Sequence, residues 1–283
     1  MAQILSGGPV AQAIQRDNLM ESERLGREGI TPLLALLRIG ERADTDSYAK
    51  SLEKNALKSG VAVRRQDLPA DLSQEEAEQA LEALNRDESV HGILLLRPLP
   101  PQLSEEALCR RIAPSKDVDG ASPLSLAGIF GAGEEGFAPA TPRAVMEILR
   151  YYGIPLRGKH AVIVGRSLVV GRPLAMMLLA RDATVTICHS RTENLAEHTR
   201  RADLLVAAMG RPEAMGEAHL GTHQVILDVG IHRKEDGSLC GDVYFPQAEP
   251  LAAAITPVPG GVGAVTTAVL LRQVLEAARR NIR

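Results

Sequence analysis

Apolar positions along this chain fall into short runs, separated by longer polar stretches with helical spacing. Leu33–Ile39, Val61–Leu68 and Val90–Leu96 are runs of the kind that form buried parallel strands, apolar on both faces. Between them the spacing predicts helices. A polar, helix-compatible segment runs from Val10 to Glu28. After a loop from Gly40 to Asp46, Thr45 is placed to cap a helix that continues through Ser59 and stops at Gly60. Ser73-Gln74-Glu75-Glu76 has the form of a capping box and opens a helix to about Asn85, and Ser104 opens another short one. Strand and helix thus alternate through the first part of the chain, which predicts a parallel sheet covered on both faces.

Periodicity weakens between Ala113 and Thr141, where Gly, Pro and Ser are frequent, and the chain is expected to cross there between domains. Thr141-Pro142 then supplies an N-cap with proline at the first helical position, for a helix to Tyr152. The run Ala161–Val164 ends on Gly165, and Pro173 and Met176–Ala180 follow as a helix start and body. Strands are expected at Val185–Cys188, Leu204–Ala207, Val225–Asp228 and near Ala254–Thr256, with helices at Leu195–Arg201 and from about Thr266 to Arg280. The fold class is α/β with two domains, the second carrying a Rossmann-like parallel sheet.

Composition adds limits. The chain has 283 residues, no Trp and 2% aromatics, so its core is built from Leu, Val, Ile, Ala and Met. A net charge of −3 argues against a general nucleic-acid binder. Cys109, Cys188 and Cys240 form no CxxC pair and no disulfide framework, which suits reduced thiols. Charges interrupt every apolar run before it could span a bilayer and Met1–Leu19 has no apolar leader, so no membrane association and a cytoplasmic location are expected.

Four local features carry candidate chemistry. A strand–turn–helix at Ala161–Leu174 presents free N–H groups at a helix start, where a dinucleotide phosphate can sit. Gly165 and Gly171 are too far apart for G-x-G-x-x-G, so spacing alone leaves an ordinary βα turn equally open. His189-Ser190-Arg191 follows the next strand, where an acidic residue would select a free ribose 2′-hydroxyl; serine and arginine suit a 2′-phosphate. Lys116-Asp117-Val118-Asp119-Gly120 could hydrogen-bond a ligand or form an Asx turn. Pro257-Val258-Pro259-Gly260-Gly261-Val262-Gly263 is a rigid turn that admits close approach to the backbone. Tyr48, alone on its helix, is compatible with ordinary surface packing.

Taken together, Gly-Arg-Ser-x-x-Val-Gly-x-Pro at 165–173, Lys-Asp-Val-Asp-Gly at 116–120, Pro-Leu-Pro-Pro at 98–101, Ala-Thr-Pro at 140–142 and the turn at 257–263 resemble one family, in its motif order and over nearly the whole chain. It is the methylenetetrahydrofolate dehydrogenase/methenyltetrahydrofolate cyclohydrolase family of the bifunctional FolD type. The resemblance implies a folate-side domain over 1–119 completed by a C-terminal helix at 266–283, and an NADP-binding domain over 120–265, with the folate cleft between them. It implies a homodimer that interconverts 5,10-methylene-, 5,10-methenyl- and 10-formyltetrahydrofolate with NADP. By position, Tyr48 stacks on the pterin and Asp119 binds its amino-pyrimidine edge, as the catalytic and substrate residues. Pro259, Gly260, Gly261 and Val262 border the folate. Gly165, Arg166, Ser167, Gly171 and Ile231 line the cofactor, and Arg166, Ser190 and Arg191 face the 2′-phosphate.

Two positions depart from the family. Leu52 stands where the family has lysine, four residues after the tyrosine, and Leu96 stands where it has glutamine. Lys50 and Lys54 lie off the helical face shared by residues i and i+4, so neither replaces the lysine. Arg97, next along the strand from Leu96, is expected to face the opposite side. Hydride loss from the methylene carbon chiefly needs placement, whereas hydrolysis needs a proton removed from water and another delivered to a ring nitrogen. The expectation is a dehydrogenase whose cyclohydrolase step is weak or absent. The alternatives are an enzyme with no cyclohydrolase role at all, or a catalytically silent relative that binds folate or nucleotide.

Overall fold

The computed structural model describes residues 2–41, 43–131 and 136–280. Position 42 of the expected Gly40–Asp46 loop and positions 281–283 of the expected C-terminal segment lie outside the described residues. The chain divides into two compact units, Met1–Gln12 with Thr141–Thr266, and Ala13–Ala140 with Thr267–Arg283.

The second of these holds a three-stranded parallel sheet of β2 (Leu33–Ile39), β3 (Ala62–Leu68) and β4 (Gly92–Leu95), in the order β3-β2-β4. Successive residues of a strand point to opposite faces, and the core divides accordingly. Leu34, Leu36 and Leu94 join one apolar cluster with Leu25 of α1 (Gly7–Arg27), Leu52 of α2 (Ala43–Lys58) and Leu270, Leu271 and Val274 of α10 (Val262–Arg280). Ala35, Leu37, Ile93 and Leu95 join another with α3 (Gln74–Arg86) and α4 (Glu105–Arg111). Helices therefore cover both faces, as the unbroken apolar runs require. Ser73 closes a full capping box with Glu76, and Ser104 accepts the Ala107 N–H at 3.2 Å.

Several helix starts differ from expectation. Thr45 lies inside the first turn of α2, and Thr141 is the second residue of α6 (Ala140–Tyr151), so neither hydroxyl stands outside its helix as a cap. The last helix begins at Val262, earlier than the expected start near Thr266, and takes in Gly263 in its first turn. The stretch expected to be an irregular crossing contains a short 3-10 turn (Pro114–Lys116) and α5 (Pro123–Phe130), capped by Ser122. It stays with the three-stranded unit, because Phe137 and Ala140 are buried in the cluster that holds Leu52. By compactness the units part at Ala140.

The other unit holds a six-stranded sheet in the order β1-β11-β8-β7-β5-β6, from β1 (Gln3–Ile4), β5 (His160–Val164), β6 (Thr184–Cys188), β7 (Leu204–Ala207), β8 (Val225–Asp228) and β11 (Ala254–Ile255). Every pairing in it is parallel, which is the Rossmann-like layer expected. β1 was not expected: two residues carry no pattern of their own, and their place comes from β11, far along the chain. The same holds for the small antiparallel pair β9 (His232–Arg233) and β10 (Leu239–Cys240). No described helix is long and apolar enough to cross a membrane.

Candidate active site

The residues singled out from the sequence fall into one group in each unit. In the three-stranded unit, Thr45, Tyr48, Leu94, Leu95, Leu96, Arg97 and Asp119 line a pocket of about 350 Å³ at the carboxyl end of β4. The Tyr48 side chain is 43% exposed. Its hydroxyl end is desolvated: burial, then the negative charge of Asp119, push it up to about 12. It therefore stays protonated at neutral pH.

The Lys116–Gly120 motif resolves into three roles. Lys116 Nζ donates to the carbonyls of Leu84, Asn85 and Asp87 (3.2, 2.7 and 2.7 Å) and so ties down the end of α3. Asp117, fully buried, accepts the N–H groups of Ala121 and Ser122 at 3.0 and 2.7 Å, the Asx-type closure of the turn. Gly120 has φ of +63°, and a Cβ there would strike the Phe137 carbonyl and the Pro139 nitrogen. Only Asp119 turns its carboxyl to the pocket. Burial raises it to about 6; Asp117 adds to the rise and Arg97 opposes it.

Leu52 is 1% exposed and lies in the same apolar cluster as Leu94, Leu96 and Val118. The helical face shared with Tyr48 thus runs from the pocket into solid core. Lys50 is spent on Asp46 at 2.7 Å, and Lys54 is exposed, away from that face. Arg97 differs from expectation. Strand alternation does set it toward α4, where its Nε stands 2.9 Å from Glu105 Oε1, although that N–H is not aligned into a hydrogen bond. However, β4 ends at Leu95, and the long side chain also lines the pocket, with Nη2 3.8 Å from Asp119 Oδ2. A cation at the carboxyl end of a buried strand was the available clue; Thr45, 6% exposed at the pocket wall, offered none beyond its capping chemistry.

In the six-stranded unit the chain leaves β5 for β6 on one side and returns to β7 on the other, so the strand order reverses beside β5. Ligands of open parallel sheets bind at such a reversal, outside the carboxyl ends of the strands. Gly165, with φ of +142°, ends β5 there, and a Cβ on it would collide with the Ala208 carbonyl oxygen beyond β7. A Cβ on Gly171, the first residue of α7 (Gly171–Leu179), would collide with the Gly165 carbonyl. These glycines make a turn in which backbone lies against backbone. The Ser167 hydroxyl accepts the Val170 N–H at 3.1 Å, so it shapes the turn itself.

Arg166, Ser190 and Arg191 are exposed, and neither guanidinium has an ion-pair partner among the described residues. The Cys188 carbonyl accepts the Gly165 N–H at 2.9 Å, which joins the two loops that carry them. Ile231, 61% exposed, follows β8, and Pro259–Val262 follow β11. All lie on loops, or for Val262 at a helix start, that follow strands running in one direction, hence at one edge of the sheet. Gly260 is open, with φ of +98°.

Sequence reasoning missed the brace behind this edge. Asp242, fully buried, accepts the N–H groups of Met209, Gly210 and Arg211 at 2.6, 3.0 and 2.8 Å and meets His232 Nε2 at 2.8 Å. Asp228 in turn accepts from Gly230, Asp242 and Val243, and burial raises its carboxyl to about 6. Gly-Asp-Val at 241–243 was the unused clue.

The arrangement fits a phosphorylated dinucleotide: glycines that keep side chains out of the turn, and unpaired guanidinium groups on the adjoining loops. Comparison with known proteins agrees. Residues 5–119 match the tetrahydrofolate dehydrogenase/cyclohydrolase catalytic domain and residues 139–282 match the NAD(P)-binding domain of the same name. Bifunctional protein FolD 1 of Desulfitobacterium hafniense is 46% identical over 99% of both chains. The crystal structure of the bifunctional FolD enzyme of Campylobacter jejuni, 37% identical, superposes with a TM-score of 0.97 over 99% of this chain and 100% of that one. The Trypanosoma brucei dehydrogenase-cyclohydrolase, complexed with NADP cofactor and inhibitor, is 35% identical, with a TM-score of 0.93 over 100% and 99% of the two chains.

Proposed function

The chain belongs to the tetrahydrofolate dehydrogenase/cyclohydrolase family, and from that membership we propose how far it carries the family's two reactions. It is an NADP-dependent 5,10-methylenetetrahydrofolate dehydrogenase of the bifunctional type. Our reading is that hydrolysis of the methenyl product to 10-formyltetrahydrofolate is weak or absent. Leu52 carries it: at 1% exposure, in one apolar cluster with Leu96, it leaves the pocket no amine.

NADP⁺, when bound, supplies the hydride acceptor. Gly165 and Gly171 would admit its pyrophosphate to the backbone, while Arg166, Ser190 and Arg191 would hold the 2′-phosphate. Ile231, Pro259, Gly260, Gly261 and Val262 would border the nicotinamide and the folate. On the folate side, Asp119 accepts N–H groups of the amino-pyrimidine edge, and Tyr48 offers a ring to stack and a hydroxyl to donate. These contacts place the methylene carbon, which is most of what hydride loss demands.

Hydrolysis demands a proton acceptor beside the attacking water. Arg97 is permanently charged, Tyr48 stays protonated, and Asp119 is committed to the ring edge, so none of the titratable groups lining the pocket is free for that work. We also propose a homodimer in the cytoplasm.

Assay of both half-reactions on purified protein, with NADP⁺ and NAD⁺ compared, tests the reading. The expected result is methylene oxidation favouring NADP⁺, with methenyl hydrolysis far slower than that oxidation or undetectable above buffer. Ordinary cyclohydrolase turnover would overturn it.

A further inference from the structure

Arg97 is the one cationic side chain among the residues lining the folate-side pocket. It sits between two carboxylates: Glu105 of α4 at 2.9 Å from Nε, and Asp119 at 3.8 Å from Nη2. Glu105 is half-exposed and solvated, whereas Asp119 lies in the pocket with the buried Asp117 two residues away. Leu94, Leu95 and Leu96 make the neighbouring wall apolar, and Leu52 packs in the core with Leu94 and Leu96. An isolated carboxylate in such a place takes up a proton, because low polarity penalises the charged form. A protonated carboxyl presents one N–H acceptor fewer than the ring edge of the substrate requires.

We propose that Arg97 is a positioning residue: anchored by Glu105, its guanidinium holds the Asp119 carboxylate ionised and aimed, so that it accepts the N–H groups of the substrate's ring edge at neutral pH. The inference rests on the folate reading only for the identity of that substrate. The groups facing Asp119 agree with it. Asp117, on its own loop, and burial both raise the Asp119 carboxyl; Arg97, beyond β4, is the group that opposes them. Tyr48 of α2 is protonated and neutral, and the Cys109 thiol of α4, itself pushed up by burial, is neutral too. Lys50 of α2 is paired with Asp46. A guanidinium performs this role without restoring acid–base chemistry, since it keeps its protons at any working pH.

The test is the titration of Asp119 by carboxyl-carbon NMR in the full chain, assigned through Asp119→Asn, beside the pH profile of KM and kcat for methylene oxidation. In Arg97→Leu the Asp119 midpoint should rise by about one to two pH units, the usual effect of one neighbouring opposite charge. At pH 7 KM should then rise about threefold or more and return toward the unmodified value by pH 9, with kcat little changed. Arg97→Lys, which keeps the cation and is the safer variant for folding, should restore most of both. An Asp119 midpoint that does not move, or a KM loss that is the same at pH 7 and pH 9, overturns the proposal. If neither protein turns over folate, the folate reading fails by itself, and the midpoint still decides whether Arg97 governs Asp119.

Discussion

Replacing Leu52 by lysine puts an amine in the buried face of α2 below Tyr48, and the structure fixes what that costs. Leu52 is 1% exposed among Leu94, Leu96, Val118 and Leu270. Burying a leucine side chain stabilises by about 1.5–3 kcal/mol, part of which the lysine stem keeps. The ammonium fares worse. A lysine forced neutral at pH 7 gives up the gap to its ordinary value near 10.4, about 4–5 kcal/mol at about 1.4 kcal/mol per unit. The whole stability of a domain is about 5–15 kcal/mol, so Leu52→Lys alone should bring the protein near unfolding. Leu96→Gln adds a carbonyl acceptor for the neutral amine and should return about 0.5–1.5 kcal/mol, the net worth of an uncharged hydrogen bond. The sign of the pH effect follows from burial. The folded lysine titrates below the unfolded one, so between the two values the unfolded chain holds more protons and stability rises with pH. Urea unfolding at pH 7, 8 and 9 should therefore show the gap between Leu52→Lys and the unmodified protein narrowing as pH rises. The double variant, with an amine shifted toward neutrality, should hydrolyse methenyltetrahydrofolate at least about tenfold faster than the unmodified chain, within the ~10²–10⁴-fold reach of a positioned acid or base. A gap independent of pH would mean that the amine reaches solvent and that the helical register is wrong. A folded double variant with unchanged hydrolysis would refute the proposal that these two positions limit the hydrolytic step.

Other expectations concern the two carboxyl-edge sites. Arg166→Ala and Arg191→Ala should each raise KM for NADP⁺ about tenfold or more, the worth of a charge-assisted contact, and leave KM for NAD⁺ nearly unchanged; equal losses with both cofactors would place these residues away from the 2′-phosphate. Asp119→Asn should raise KM for the folate and also stabilise the protein above pH 6. Burial lifts the Asp119 carboxyl from 3.8 to about 6, so the folded chain keeps that proton longer than the unfolded one and stability falls as pH climbs through this window. The asparagine form escapes the fall and should lead by about 1 kcal/mol at pH 7, discounted because the side chain is 30% exposed. Thermal melts of the two proteins that stay parallel from pH 4 to pH 8 would contradict it.

Much of the molecule was written in local pattern. The runs Leu33–Ile39, Leu204–Ala207 and Val225–Asp228 are strands to the residue, because an apolar run can be buried on both faces only in a covered parallel sheet. Ser73 and Ser104 cap where their spacing said they would, since a cap is a contact within one turn. The cofactor-side glycines, the Asp119 loop and the two leucines were likewise visible as residue types in order.

Contacts between distant segments decided the rest. β1 exists only because β11 offers it an edge, and the segment around Phe137 is ordered by a core to which α2 and α10 also contribute. Asp117 and Asp119 look alike in sequence; packing alone makes one a brace and puts the other in the pocket lining. Arg97 marks the boundary most sharply. Alternation along a strand predicts where its Cβ points, but β4 ends at Leu95, and a long side chain then reaches wherever opposite charge lies within its length. Periodicity governs direction within an element, and only the fold sets which charges meet beyond its end.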